Sequence, residues 1–520
     1  LSQKGVEILE QSGILEVDYR EKTPRGELLN IIENYEGLIV RSASKVDKEV
    51  IEKAKNLKVV IRAGVGVDNI DIPACSQKGI VVMNAPAGNS ISTAEQAIAL
   101  MFALARKTPQ ANASMKQKKW EKKKFSGRQL TGKTLGVIGL GRIGREVVKR
   151  GKGLKMKVIG YDPYIPAEKL EHLEIEIGDL DTLLKESDII TVHTPLTDST
   201  RGLINKANLH ALKKGVLLVN AARGGIYDEE ALAEGLKSGH LGGVGLDVYS
   251  TEPPPEDFPL YEFDNCIMTP HLGASTKEAQ EEVAKETAES MVAFFKEGVA
   301  RNSLNFPTLD PKEMDILSPW FDLSVRLGMF AAQVVSDPIT RATLFLSGEI
   351  TQLKLSPLEI ALSRGLLSVA IGEEVNFVNA PILAKERGIE ISVKKEEVAS
   401  PMGNVMRAIF DYQGGSLELR ATVNFSGGTI LAIDKMPAEF KPEGDILVIR
   451  NKDVPKVVGD LGMILGEAGI NIASLQLSRK EKGKEAITVI EVDSEPSKEI
   501  IEEIQKKDYI LDVKKVQIRY

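Results

Sequence analysis

Cysteine is nearly absent. Cys75 and Cys266 are the only two in 520 residues, too few for a disulfide framework, and neither has partners at a metal-ligand spacing. Reduced thiols, a cytoplasmic setting and no bound metal are the expectation. Long apolar runs are missing too: no stretch approaches the roughly 20 residues needed to span a bilayer, and no leader pattern is visible. Nor is there an excess of positive charge. Lys and Arg number 67 against 74 Asp and Glu, a formal net charge of -7, which argues against a general nucleic-acid binder.

What remains is ordinary soluble composition, 42% hydrophobic and 27% charged, in a chain too long for one core. The densest information lies in residues 135–162. A short apolar strand ends at Gly139, then come Gly141, Arg142, Ile143 and Gly144, a helix, and a second strand ending at Tyr161 and Asp162. Gly139 permits a tight strand-to-helix turn, Gly141 lets a pyrophosphate approach the backbone, and Gly144 lets the helix pack closely on the sheet. The helix N-terminus offers unpaired N–H groups to phosphates. Asp162 stands where a carboxylate bonds ribose hydroxyls and repels a 2′-phosphate, so NAD is expected rather than NADP.

The chain opens on a helical segment, 3–11, with no strand before it. Strands are expected at 38–41, 58–62 and 80–83, alternating with helices as in a parallel α/β sheet. Ser92 or Thr93, with Glu95 in capping-box position, is expected to start a helix running through Ala105. That helix is apolar on nearly every face, which suggests burial between domains or subunits. A basic run at 117–124 surrounds Trp120. It reads either as a solvated loop or as a phosphate-attracting rim. Beyond the nucleotide turn, strands are expected at 189–193, 216–220, 243–248 and 266–269, with helices at 228–238 and 275–298. A boundary is expected at 307–319, then a mixed segment at 320–440 with glycine pairs at 414–415 and 427–428. The last segment, 445–520, reads β-α-β-β-α-β, the order of a small ferredoxin-like binding module.

Three polar residues at expected strand ends belong together chemically. Oxidising a 2-hydroxy acid needs a cation to hold the carboxylate and polarise the carbonyl, and a guanidinium does both; Arg223 fits. It also needs a proton carrier, which histidine supplies, and His271 fits. A carboxylate behind an imidazole fixes its tautomer and favours the protonated ring. Glu252 is that candidate. Singly, each has a bland reading as a surface ion pair, a strand-end histidine or part of a proline turn, and spacing alone does not bring them together. Of the other histidines, His193 also sits at a strand end, and a structural role is expected for it.

Here the motifs resemble a family, the D-isomer-specific 2-hydroxyacid dehydrogenases. They are Gly139-Leu140-Gly141-Arg142-Ile143-Gly144, Asn220-Ala221-Ala222-Arg223-Gly224-Gly225, Leu246-Asp247-Val248 with Glu252-Pro253, and Thr269-Pro270-His271-Leu272-Gly273. The resemblance implies two Rossmann-like α/β domains: a split substrate domain at 1–91 and 274–302, and an inserted NAD domain at 92–273. Val378-Asn379-Ala380-Pro381 and the module with Asn471-Ile472-Ala473 resemble the intervening (303–441) and ACT (445–520) domains of the family's long-form members. Those members imply oxidation of 3-phosphoglycerate to 3-phosphohydroxypyruvate with NAD, the entry to L-serine synthesis, in a homo-oligomer, dimer or tetramer.

The resemblance also implies roles for individual residues. Catalysis falls to Arg223, Glu252 and His271. NAD contacts fall to Gly139, Gly141, Arg142, Ile143, Gly144, Asp162, Thr194, Ala221, Asp247, Gly273 and Ala274. Arg41, Arg62, Asn89 and Ser90 lie on substrate-side loops, and Lys122, Lys123 and Lys124 are expected to help hold the phosphate, across a dimer. Three departures stand out. Such chains normally begin with a strand ahead of the residues seen here. Val65 replaces a small hydroxyl residue near the nicotinamide. Lys456 follows Asp453-Val454-Pro455 where glycine is usual, which bears on L-serine as an effector. The alternatives are a glyoxylate or hydroxypyruvate reductase, which lacks the long extension after Asn302, and an NAD-binding regulatory scaffold.

Overall fold

Runs of Val, Ile and Leu between glycine and polar turns become short parallel strands, as expected for sheets buried on both faces. The computed structural model describes residues 1–307, 311–397 and 403–520. The first sheet holds β1 (Gly37–Val40), β2 (Val59–Arg62) and β3 (Val81–Asn84), parallel and in that order. The second holds β4 (Thr134–Ile138), β5 (Lys157–Tyr161), β6 (Glu176–Ile177), β7 (Ile189–Val192), β8 (Val216–Asn220), β9 (Leu241–Leu246) and β10 (Cys266–Met268). Its order is β10-β9-β8-β7-β4-β5-β6, parallel throughout. The chain runs outward from β4 to β6, then returns to the far side of β4. That reversal makes a switch point between β4 and β7, where doubly wound Rossmann sheets bind nucleotides.

Both ends of the first half meet on the first sheet. The Gln3–Gln11 helix, where it is expected, packs on the Lys277–Glu297 helix. Leu9, Val59, Ile61, Met83, Ala288 and Met291 form one core. The chain stays on this sheet slightly longer than the expected boundary at 302. Leu304 N–H donates to Val82 at 2.8 Å, and the Asn305 amide bonds Val82 and Ile80 like an added strand residue.

One local expectation fails. The helix begins at Ser90 with Asn89 as its N-cap, so neither Ser92 nor Thr93 caps it. Ser92 sits inside the first turn and instead donates to the Gly273 carbonyl at 2.7 Å. One face of this helix is buried, while Ile91 and Phe102 remain exposed. At the boundary expected at 307–319 the chain passes from the core that holds Phe306 to another that holds Leu317; there Pro311–Val334 is one helix running through Pro319, while 308–310 lie outside the described residues. A mid-helix proline forfeits one backbone hydrogen bond, but Leu317 and Trp320 beside it are buried in the adjoining core and outweigh that loss.

The third sheet contains β11 (Ile339–Ser347), β12 (Glu390–Lys395), β13 (Val405–Tyr412), β14 (Gly415–Asn424), β15 (Gly427–Ile433) and β16 (Met436–Phe440), ordered β12-β11-β13-β14-β15-β16. The two glycine pairs fall at its hairpin turns. The last sheet holds β17 (Gly444–Lys452), β18 (Ile472–Arg479), β19 (Glu485–Val492) and β20 (Ile510–Ile518), ordered β18-β19-β17-β20 with two helices on one face. This is the ferredoxin-like arrangement read from the sequence. Its other face is not open. Ile446, Val448, Ile487, Val489, Val516 and Ile518 share a core with Trp320, Phe330 and Phe440. The Gln333 amide brackets the backbone of Gln517 with two 2.9 Å bonds. Among the described residues no helix is long and apolar enough to cross a membrane.

Candidate active site

The loops that leave β8, β9 and β10 carry Arg223, Glu252 and His271, and these strands are neighbours in the sheet. Sheet order, which spacing could not supply, is what brings the three together. His271 Nδ1 lies 2.8 Å from Glu252 Oε2, and Glu252 Oε1 accepts from Tyr249 N–H at 3.2 Å. With Nδ1 committed to the carboxylate, Nε2 is the ring nitrogen left for a substrate. Gly224 permits the close approach, because a Cβ there would stand 1.9 Å from the Tyr249 carbonyl oxygen. Arg223 donates to its neighbour Ala222 O at 2.7 Å, and its Nε lies 3.2 Å from Asp68 Oδ2 across the cleft.

The His271 loop is held from behind by Asp247, which is fully buried. Its carboxylate accepts from Leu272 N–H and Gly273 N–H at 2.8 Å each, from Thr269 Oγ1 at 2.5 Å and from Gln96 Nε2 at 3.3 Å. Charge-assisted bonds of this kind are short and strong. Ser92 adds its bond to Gly273, so the Ser90–Arg106 helix and the His271 loop are clasped together. Sequence reasoning missed Ser92 and Gln96 in this role; one looked like a cap and the other like an ordinary helix residue.

The cleft between the first two sheets has a volume of about 1190 Å³. Arg41, Arg62, Asn89, Ser90, Arg142, Ile143, Thr194, Ala221, Arg223, Glu252, His271, Gly273 and Ala274 all line it, as do Val65 and His193. Asp247, Asp162 and the glycines Gly139, Gly141 and Gly144 do not. Asp162 sits under the glycine turn, accepting from Leu140 N–H at 2.9 Å and from Tyr164 N–H at 2.9 Å. Lys122, Lys123 and Lys124 are exposed and lie outside the lining, with Trp120 81% exposed beside them.

Whether a dinucleotide fits is answered by polar atoms left over. Arg62 Nε, Asn89 Oδ1, His193 Nδ1 and Thr194 Oγ1 are buried without a hydrogen-bond partner among the described residues, and all four residues line the cleft. Buried polar groups are rarely left unpaired, so this cluster marks where a ligand completes the bonding. The glycine turn matches. A Cβ on Gly144 would lie 1.9 Å from the Gly139 carbonyl oxygen, whereas Gly141 has open space around it.

Burial alone holds His193 far down, at about 3, with Nε2 3.0 Å from Thr191 Oγ1. The ring is neutral in the folded protein, with its Nδ1 turned to the cleft unpaired. Its folded value lies below the ordinary one near 6.5, so its contribution is complete above about pH 6.5 and is lost as the pH falls toward 3. Thermal midpoints measured from pH 7 to pH 4 are therefore expected to fall less steeply in His193→Asn than in the parent.

The glycine turn at the switch point, the three polar strand ends and the two-sheet cleft define a class. It is that of the D-isomer specific 2-hydroxyacid dehydrogenases, whose NAD binding domain model matches residues 98–273. The D-3-phosphoglycerate dehydrogenase intervening domain matches 316–431 and the ACT domain matches 446–508. The chain is 42% identical over 520 residues to the D-3-phosphoglycerate dehydrogenase of Archaeoglobus fulgidus, covering 100% of this chain and 98% of that one. It is 38% identical to the Bacillus subtilis D-3-phosphoglycerate dehydrogenase, with 100% and 98% covered. The chain belongs to the D-3-phosphoglycerate dehydrogenase family. Among solved structures, D-lactate dehydrogenase from Aquifex aeolicus, complexed with NAD and lactic acid, is similar at 31% identity and a TM-score of 0.52, covering 59% of this chain and 98% of that one.

Proposed function

We propose that this chain oxidises 3-phospho-D-glycerate to 3-phosphohydroxypyruvate with NAD, the reaction that opens L-serine synthesis. The observation that carries the reading is the His271–Glu252 pair lining one cleft together with Arg223, Arg62 and Arg41. One guanidinium suits a carboxylate, and further ones on the substrate side suit a phosphate. NAD, when bound, would supply the acceptor for the hydride of C2. Arg223 holds the carboxylate and the C2 oxygen, and fixes which hydrogen faces the ring. Nε2 of His271 takes the proton from the C2 hydroxyl as the electron pair leaves with hydrogen. Glu252 accepts from Nδ1–H and stabilises the positive ring until the proton passes to solvent.

Within this reading Asp162 would hold the adenosine ribose when NAD is bound, and Asp247 acts through the 272–273 backbone. The division of the chain into substrate, NAD, intervening and ACT parts follows the boundaries read from the sequence, with 303–306 added to the first. A homo-oligomer in the cytoplasm is the setting proposed, in which Lys122 to Lys124 reach a neighbouring subunit's cleft. The ACT part is the place for an amino-acid effector such as L-serine. There Lys456 adopts φ +81, a conformation glycine adopts freely and lysine rarely does. Calorimetry with L-serine tests that part by itself.

NADH formation from 3-phosphoglycerate tests the whole. Turnover of the phosphorylated acid well above that of D-glycerate is expected, and preference for the unphosphorylated acid contradicts the reading. Two glycines test the nucleotide site. Gly141→Ala is expected to change stability by no more than about 0.5 kcal/mol but to weaken NAD binding roughly tenfold or more, the effect of losing about 1.4 kcal/mol. Gly144→Ala forces the turn itself apart and is expected to lower the melting midpoint as well. Differential scanning fluorimetry with and without NAD separates the two.

A further inference from the structure

Arg223 does not wait with an empty fork. The turn after β2, residues 64–69, leans across the cleft mouth and places Asp68 against it, Oδ2 3.2 Å from Nε. The turn comes close because Gly66 has no side chain: a Cβ there would meet the Arg223 guanidinium at 1.9 Å. The pair is lopsided. Arg223 is 27% exposed at its side chain and Asp68 76%, so the arginine is fixed by its surroundings and the aspartate is free to rotate into water.

The surrounding charges show why a carboxylate sits there. Arg62 is held below its usual value first by burial, then by Arg223 and Arg41, and Asp68 is the carboxylate that offsets them. Glu252 lines the same cleft but is occupied by His271 and Tyr249 N–H. Arg223 and Arg62 therefore share one exposed aspartate, and its oxygen occupies an edge of Arg223 that a 2-hydroxy acid's carboxylate would use.

We propose that Asp68 is the resident counter-ion of Arg223, filling the substrate carboxylate's place in the ligand-free enzyme and rotating out to solvent when substrate arrives. It is a positioning residue acting through Arg223, and the idea rests on Arg223 being the carboxylate anchor of the function proposed above. The exchange of one carboxylate for another keeps Arg223 and Arg62 from repelling one another, at the cost of competition with every substrate molecule.

Asp68→Asn keeps the shape and removes the charge, and Asp68 is exposed enough for the variant to fold. Steady-state kinetics with 3-phosphoglycerate and saturating NAD are expected to show KM lowered roughly two- to fivefold, the scale of one partly exposed ion pair. The dependence of KM on salt is expected to steepen, because the cleft gains a net positive charge. A higher KM, an unchanged KM or a loss confined to kcat overturns the proposal, since a residue that merely props Arg223 gives those results. If the parent makes no NADH from 3-phosphoglycerate, the functional reading fails instead. The counter-ion claim is then judged by thermal titration with D-glycerate, a lone carboxylate: tighter apparent binding by Asp68→Asn supports it, and equal or weaker binding overturns it.

Discussion

Replacing His271 with alanine is expected to lower kcat by about 10²- to 10⁴-fold, the usual contribution of a positioned acid–base group, while the Kd for NAD stays within about twofold of the parent's. The separation follows from how the loop is held. Asp247 grips Leu272 and Gly273 by their backbone N–H groups, and Ser92 grips the Gly273 carbonyl. None of these bonds uses the imidazole, so removing it leaves the wall of the cleft standing. His271 has φ +52, a region where Asn is tolerated better than most residues. His271→Asn is therefore the companion variant: it keeps the backbone comfortable and is expected to lose the same activity. Stopped-flow turnover beside fluorescence titration of NAD(H) checks both halves. Loss of cofactor binding in both variants would show that the loop, and not the proton carrier, had been disturbed.

The second large effect is expected from Arg223→Lys. Charge is preserved, but the planar fork is lost, and an ammonium cannot bond a carboxylate and the C2 oxygen side by side. One or two charge-assisted hydrogen bonds disappear, at about 1.5–3 kcal/mol each, so kcat/KM is expected to drop by roughly 10²- to 10³-fold. Gly224 and the Ala222 carbonyl hold the backbone and one edge of the side chain, so the change should stay local, with the melting midpoint near the parent's. Activity close to the parent's would mean that charge alone suffices and that the fork has no role.

The elements that announce themselves in the sequence are those where one residue type answers one local demand. Gly139, Gly141 and Gly144 each satisfy a backbone requirement, and Arg223, Glu252 and His271 each stand at a strand end. The nucleotide turn, the β-α-β-β-α-β module and the three strand-end residues were therefore legible. The clasp behind His271 was not: Ser92 and Gln96 lie more than a hundred residues from their partners, and only the packing of the Ser90–Arg106 helix beside β9 joins them. That Pro319 lies inside a helix was hidden for the same reason, because burial of Leu317 and Trp320 comes from strands much later in the chain. The placement of Asp68 against Arg223 likewise depends on two sheets facing one another across a cleft. Long-range packing decided each of these, and no local pattern encodes it.

A crystal structure of the enzyme with NAD and 3-phosphoglycerate, or with the reduced cofactor and 3-phosphohydroxypyruvate, measures the account's central distance. It predicts Nε2 of His271 within about 2.6–3.2 Å of the C2 oxygen, Nδ1 still paired with Glu252, and Arg223 on the carboxylate. An imidazole turned away from C2 in the closed complex, with some other group at that oxygen, would contradict it.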